Sequence, residues 1–162
     1  MNRKHTETVD SKLKTAWQVV SRMYNAEAAL HDATITMAHF LLNIDSHSGS
    51  YASDIAPHLG MESTSLSRTI QSLEAKKYIR RVADKDDGRR MKIMLTGSGR
   101  VQKELAKNTV RNFNHLLEIK IGKKRITDFF RIIDEITELA DERNKLIKPP
   151  AIKIRQPKAR VR

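Results

Sequence analysis

The sequence predicts a mainly α-helical fold with one small β-hairpin, and three observations support this prediction. Apolar residues recur at steps of three to four over most of the chain, as they do on one face of a helix. Ile93 and Leu95 alternate with Lys92 and Met94, as in a short strand, and an Asp-Gly turn signal precedes them. A chain of 162 residues is long enough to bury one hydrophobic core of ordinary size.

The N-terminal part of the chain is predicted to form two helices. The second, over residues 35–44, is apolar on most sides, which is typical of a helix buried at the centre of a domain. The first, over residues 10–31, has Asp10 or Ser11 as its expected N-cap. Its apolar face repeats at helical spacing through Leu13, Trp17, Val20 and Tyr24.

Two short helices on either side of a glycine come next. After a turn at residues 46–50, a helix over residues 51–59 is expected to end at Gly60. Pro57 should kink this helix, because proline removes one backbone hydrogen bond. A further helix is expected over residues 62–77, and the pair has the spacing of a helix-turn-helix motif.

A hairpin and two long helices complete the predicted fold. Strands over residues 78–83 and 91–96 flank a charged loop, and amphipathic helices follow over residues 99–121 and 123–146. Because two adjacent prolines then follow and no periodicity continues, we expect residues 148–162 to form a disordered basic tail.

The charge of the chain, +12 in total, is concentrated in two blocks. Residues 76–103 have ten basic and three acidic side chains, and residues 143–162 have eight basic side chains and no acid. Residues 16–75 have two basic side chains against six acidic ones. Basic blocks of this kind favour an anionic partner, above all nucleic acid. The absence of cysteine excludes a disulfide framework and a thiol nucleophile.

The helix predicted over residues 62–77 has the two faces that a helix in the DNA major groove needs. Leu66, Ile70 and Leu73 share one face, which we expect to pack inward. The opposite face is short and polar, so that it can approach phosphates and base edges, and Arg68 can contact guanine through two hydrogen bonds. The alternative is a solvated surface helix, although Ser and Thr are poor helix formers. The candidate DNA-contacting residues are Ser63, Thr64, Ser65, Ser67, Arg68, Gln71 and Ser72.

The charged hairpin that follows directly predicts a winged helix-turn-helix. We expect Lys85, Arg89 and Arg90 to contact DNA, because the negative potential of the minor groove attracts guanidinium groups. Asp84 and Asp87 are expected to hold the loop and its arginines through local ion pairs. The alternative is a loop whose mixed charge only maintains solubility.

The same residues resemble the MarR (multiple antibiotic resistance regulator) family of transcription regulators. The wing of that family has an Asp, two residues, an Asp, one residue and an Arg, then a branched apolar residue and Leu-Thr before a Gly. Residues 65–68 resemble the start of the family's recognition helix. Lys77, where the family usually has glycine, and Pro57 depart from the pattern. The matching wing positions are Asp84, Asp87, Arg89, Ile93, Leu95, Thr96 and Gly99.

The resemblance implies a homodimer that binds a pseudo-palindromic operator in double-stranded DNA. The residues agree, because the first helix and the last two have more apolar periodicity than a small winged helix can cover. We therefore assign residues 1–34 and 100–147 to dimerisation helices, residues 35–99 to a DNA-binding lobe and residues 148–162 to the tail.

The resemblance also implies a small aromatic or acyl-type effector, bound between the dimerisation helices and the DNA-binding lobe. Trp17, Arg22 and Tyr24 are the candidate ligand-binding residues. In the alternative interpretation, the two aromatic rings belong to the dimer core and Arg22 pairs with Glu27 or Asp32.

No cofactor, catalytic residue or membrane segment is expected. There is no nucleophile elbow or Walker A loop, and no apolar stretch of transmembrane length or signal-peptide type, so a cytoplasmic protein is the expectation. No two histidines lie four residues apart, so we expect no metal site. The histidines and acids that crowd this part of the chain are His31, Asp32, His39, Asp45, His47 and His58.

The sequence thus predicts a dimeric, sequence-specific regulator, with a ligand-responsive repressor as the expected type. Two alternatives stay open. One is an architectural DNA-binding protein that tolerates many sequences, for which the net charge would suffice. The other is a metal-responsive regulator of the same fold.

Overall fold

A computed structural model describes residues 7–84, 87–88 and 90–147, and it confirms the predicted class. Each predicted helix and strand lies within two residues of its observed bounds. The elements in chain order are α1 (Val9–Ala29), α2 (Ile35–Leu42), β1 (Ser50–Tyr51), α3 (Ala52–Leu59), α4 (Ser63–Ala75), β2 (Ile79–Ala83), β3 (Met91–Leu95), α5 (Gly97–Ile121) and α6 (Lys123–Leu146).

The short strand β1 was not predicted, and it turns the hairpin into a three-stranded antiparallel sheet of order β1-β3-β2. Ser50 pairs with Ile93 and Tyr51 with Lys92. Gly49 makes this pairing possible, because its φ is +71° and a β-carbon there would lie 2.7 Å from the carbonyl oxygen of Ile93.

The chain divides into two compact units, Met1–Asn114 and His115–Arg162. The core of the first unit lies between α2, the helix-turn-helix and the sheet. α2 contributes more buried apolar side chains than any other described helix, as predicted from its apolar sequence. The largest fully buried side chains are Phe40, Leu41, Ile44, Ile55, Leu73 and Ile93.

The described part of the second unit consists of the C-terminal end of α5 and the whole of α6. None of the residues of α6 is buried. Its exposed large apolar side chains are Leu116, Ile119, Ile121, Phe129, Phe130, Ile132, Leu139, Leu146 and Ile147. None of the helices in the described part of the chain combines the length and apolar composition that a membrane span needs.

The N-terminus of α1 and the C-terminus of α3 follow ordinary capping rules, with one correction to the predictions. The N-cap of α1 is Thr8, not Asp10 or Ser11. Ser11 occupies the N3 position of a capping box, and its hydroxyl accepts from the backbone N–H of Thr8 at 3.2 Å. Gly60 ends α3 in the left-handed conformation, as expected, and α3 runs through Pro57 to Leu59.

Candidate nucleic-acid interface

The outer face of α4 is polar and open to solvent. Six of the seven residues predicted to contact DNA on this helix are exposed, and Ser72 is half-buried. The hydroxyl of Ser67 donates to the carbonyl oxygen of Ser63 at 2.9 Å and keeps its lone pairs free to accept. Arg68 is the one cationic side chain on this face of α4.

The inner face of α4 fixes the helix on the core. Ile70 and Leu73 are buried, as predicted, but Leu66 is half-buried at the edge of the core. Thr69 is buried instead, and its hydroxyl donates to the carbonyl oxygen of Ser65 at 2.9 Å. The apolar pattern could not reveal this position, because threonine becomes suitable for burial only through that hydrogen bond.

Two ion pairs hold the C-terminal part of α4. The guanidinium of Arg81 on β2 donates to Glu74 from Nε at 3.0 Å and from Nη2 at 2.7 Å, and such a bidentate pair fixes direction as well as distance. Lys76 pairs with Asp32, which lies in the turn between α1 and α2. The orientation of the polar face is therefore tied to β2 and to this turn.

The turn between α4 and β2 requires a left-handed residue, and Lys77 occupies it with φ +59°. The hydroxyl groups of Thr96 and Ser98 both donate to the carbonyl oxygen of Lys77, at 2.6 and 2.8 Å. These bonds connect the end of α4 to the start of α5. The departure from the family's glycine thus occurs at a position of real backbone strain.

Asp84 organises the described part of the wing. Its backbone N–H donates to the carbonyl oxygen of Arg90 at 2.9 Å, and its Oδ1 accepts from the backbone N–H of Asp87 at 3.1 Å. Its Oδ2 accepts from the hydroxyl of Tyr51 and lies 3.7 Å from Nζ of Lys92. Of the predicted wing contacts, Lys85 and Arg89 lie outside the described residues, and so does the C-terminal tail.

Arg90 is exposed, and its Cζ lies 3.8 Å from the ring centroid of Tyr51. The Nζ of Lys92 lies 5.4 Å from the same centroid. Sequence reasoning missed Tyr51 and Lys92 as neighbours of the wing. Tyr51 could not be recognised from the sequence, because it lies on a strand of two residues, and so short a strand shows no alternation of apolar and polar residues.

The three candidate effector-binding residues are not brought together. Tyr24 packs edge-on against Phe113, with ring centroids 5.7 Å apart, and lines an apolar recess between α1, α2 and α5. Trp17 is 56% exposed and stacks on His39 at 6.4 Å, and neither Trp17 nor Arg22 lines that recess. Desolvation lowers the pKa of His39, so its imidazole is neutral at pH 7.

The histidines and acids do not assemble into a metal site in the part of the chain that the structure describes. No three His, Cys, Asp or Glu side chains within residues 7–84, 87–88 and 90–147 are close enough to hold a metal ion. Asp45 is engaged in its own loop and Asp32 with Lys76.

The polar outer face of α4, the three-stranded sheet and the order of the elements define a winged helix-turn-helix protein. Residues 31–90, from the turn after α1 to the wing, match the family model described as MarR family. The predicted resemblance to the MarR family is therefore confirmed over residues 31–90. The family is one of transcription regulators, in agreement with the expectation that this chain is not an enzyme.

Solved structures share this fold over most of the chain. The MepR–DNA complex of S. aureus is 21% identical with a TM-score of 0.74, covering 82% of this chain and 96% of that chain. The Streptococcus pneumoniae FabT–DNA complex is 18% identical with a TM-score of 0.71, covering 83% and 96%. The transcriptional regulator SlyA is 15% identical with a TM-score of 0.75, covering 88% and 100%. No curated protein sequence matches the chain.

Proposed function

We propose that this chain is a dimeric transcription regulator that reads a pseudo-palindromic DNA site through α4 and the wing. The observation that supports this most directly is the exposed polar face of α4, from Ser63 to Gln71, with Arg68 within it. Hydroxyl, amide and guanidinium groups of this kind contact phosphates and base edges in the major groove.

The environment of α4 agrees with this function. Arg81 of β2 forms an ion pair with Glu74, which neutralises this carboxylate so that it does not repel a phosphate. Two structures of the same fold, MepR and FabT, are described as complexes with DNA. In this chain, Arg90 lies on the wing directly before β3, and we expect it to contact the minor groove.

Repression controlled by a ligand is the finer part of the proposal. We assign a small aromatic or acyl group to the apolar recess lined by Tyr24, Leu105 and Ala106, which would have to widen to admit it. A ligand there would act by favouring a dimer with a different spacing of its two α4 helices. Trp17 and Arg22 stay candidates only for a ligand that extends beyond this recess.

The function is tested by fluorescence anisotropy with two labelled duplexes, the chain's own upstream region and a scrambled version. Arg68→Ala should weaken binding to the specific duplex by about 1–3 kcal/mol and have a smaller effect on the scrambled one. The matched control is Arg111→Ala, which removes an exposed arginine of α5 and should leave the affinity unchanged.

The outcome also separates the alternatives. Equal affinity of the wild type for both duplexes would contradict sequence-specific regulation and favour an architectural DNA-binding protein. Affinity that disappears with a chelator and returns with a divalent metal would favour the metal-responsive regulator. Equal losses in Arg68→Ala and Arg111→Ala would contradict the assignment of α4 as the reading helix.

A further inference from the structure

We propose that Tyr51 is a positioning residue that sets the direction in which Arg90 leaves the wing. It would influence DNA recognition through Arg90 and not through a contact of its own. This inference rests on the DNA-binding function proposed above.

The backbone places Tyr51 firmly. It is the last residue of β1 and the N-cap of α3, and it pairs with Lys92 in the register of β1 and β3. Gly49 allows β1 to approach β3 at all. Tyr51 therefore joins the base of the wing to the first helix of the helix-turn-helix. Its backbone position, from which the ring extends, is fixed by this pairing.

The ring and the hydroxyl of Tyr51 act on different groups. The hydroxyl donates to Asp84, whose side chain is only 9% exposed. The face of the ring lies 3.8 Å from the guanidinium carbon of Arg90. A phenol that donates to a carboxylate becomes richer in electrons, and this strengthens the attraction of its face for a cation.

The hydroxyl stays available for this role over the ordinary pH range. The hydrogen bond to Asp84, with desolvation next, raises the pKa of Tyr51, although Arg90 acts in the opposite direction. The phenol therefore remains protonated and continues to donate at neutral pH. The geometry of the cluster does not depend on a titration near pH 7.

The contact with the ring of Tyr51 reduces the number of conformations that the side chain of Arg90 adopts. An exposed arginine has several freely rotating bonds, and fixing them costs conformational entropy. A cation–π contact at an exposed site favours the stacked arrangement by about two- to fivefold. Arg90 remains exposed, so that the edge of its guanidinium can still donate to a phosphate or a base.

The first experiment tests the positioning in the absence of DNA. In NMR spectra of the full chain, the side-chain Nε–H and δ-methylene protons of Arg90 should be shifted upfield by the ring of Tyr51. Tyr51→Phe should retain most of this shift, and Tyr51→Leu should abolish it. Unchanged Arg90 resonances in Tyr51→Leu, with the rest of the spectrum preserved, would overturn the proposal.

The second experiment measures DNA affinity in a double-mutant cycle. Tyr51→Leu should weaken binding about two- to fivefold, and Arg90→Ala should weaken it more. The double variant Tyr51→Leu with Arg90→Ala should bind like Arg90→Ala alone, since Tyr51 acts through Arg90. A purely structural role of Tyr51 would instead weaken binding by the same factor on both backgrounds.

A control variant and a comparison of the two experiments distinguish failure of the positioning role from failure of the proposed function. Tyr78→Phe removes another phenol hydroxyl, one that accepts from Gln102, and should change neither the Arg90 resonances nor the affinity. If the wild type binds neither duplex, the proposed function fails, while the NMR experiment still decides whether Tyr51 positions Arg90. If Arg90→Ala weakens binding and Tyr51→Leu does not, only the positioning role fails.

Discussion

At the scale of single residues, Gly99, near the start of α5, is the most closely packed glycine of the described structure. It is buried, and a β-carbon there would lie 1.8 Å from the carbonyl oxygen of Tyr78 and 2.8 Å from its carbonyl carbon. Backbone atoms cannot move aside as a flexible side chain can. The backbone of α5 at Gly99 is thus in direct contact with the backbone of Tyr78, which precedes β2.

Gly99→Ala should therefore destabilise the protein by about 1–3 kcal/mol, the usual cost of overpacking. Urea unfolding followed by circular dichroism measures this loss. Gly97→Ala is the matched control in the same helix, because no atom lies within 4 Å of its β-carbon position. It should be neutral or stabilise slightly, by about 0.4–1 kcal/mol. Equal effects of both substitutions would show that the close approach to Tyr78 is not limiting.

Lys77 has a strained backbone conformation. Its φ of +59° is one that L-residues adopt at a cost of about 1–2 kcal/mol. The carbonyl oxygen of Lys77 accepts from two hydroxyl groups, Thr96 and Ser98, and these bonds help to offset the strain.

At the scale of elements, the loop after α2 is held by its own carboxylate and by α5. Asp45 accepts from the backbone N–H groups of His47 at 2.9 Å and of Ser48 at 2.6 Å. Arg100 and Lys103 of α5 donate to the carbonyl oxygens of Ser46 and Ile44. Burial lowers the pKa of Lys103, and the nearby charge of Asp45 acts against this shift.

The hydrogen bonds from Ser48 and His47 lower the pKa of Asp45 to about 2, from an ordinary value of 3.8. A carboxyl group whose pKa is lower in the folded state stabilises the fold above the unfolded-state value. That contribution is lost as the pH falls through the folded-state value. It should therefore be complete above pH 3.8 and disappear towards pH 2.

Asp45→Asn should accordingly be less stable than the wild type at neutral pH, with a difference that narrows as the pH is lowered from 5 to 2. Urea unfolding at half-unit pH intervals tests this. Ser48→Ala keeps the carboxylate and removes one donor, so it should show a smaller effect in the same direction. A difference between Asp45→Asn and the wild type that stays constant over this range would refute the proposed role of the charge.

At the scale of the whole molecule, the described part of the second unit exposes many large apolar side chains. Phe129, Phe130 and Ile132 of α6 are 52%, 55% and 53% exposed. A second copy of the chain would cover such a surface, as the dimerisation proposal requires.

Phe130→Asp should raise the dissociation constant of the dimer about 30-fold or more, because it places a charge in the core of the proposed interface. Sedimentation equilibrium measures this constant. Lys124→Asp introduces the same acid at a position of α6 whose side chain is 91% exposed, and it should leave the constant nearly unchanged. A wild type that is monomeric at all accessible concentrations would contradict the dimer itself.

The sequence predicted most of this molecule because its helices and hairpin are locally periodic. The alternation around Ile93 and the inward position of Leu73 were readable from spacing alone, and both side chains are buried. β1 was missed because a two-residue strand has no period and its partner lies about forty residues away. Tyr51 was missed as a part of the wing for the same reason, since only the fold brings it to Arg90.

Gly49 limits how this protein can evolve. A side chain at this position would meet both a left-handed backbone and the carbonyl oxygen of Ile93, so almost no replacement is open to it. The pairing of β1, and with it the place of Tyr51 beside Arg90, depends on this glycine. Descendants of this chain that adapt to new operators should therefore vary at the exposed positions of α4 while they inherit Gly49 unchanged.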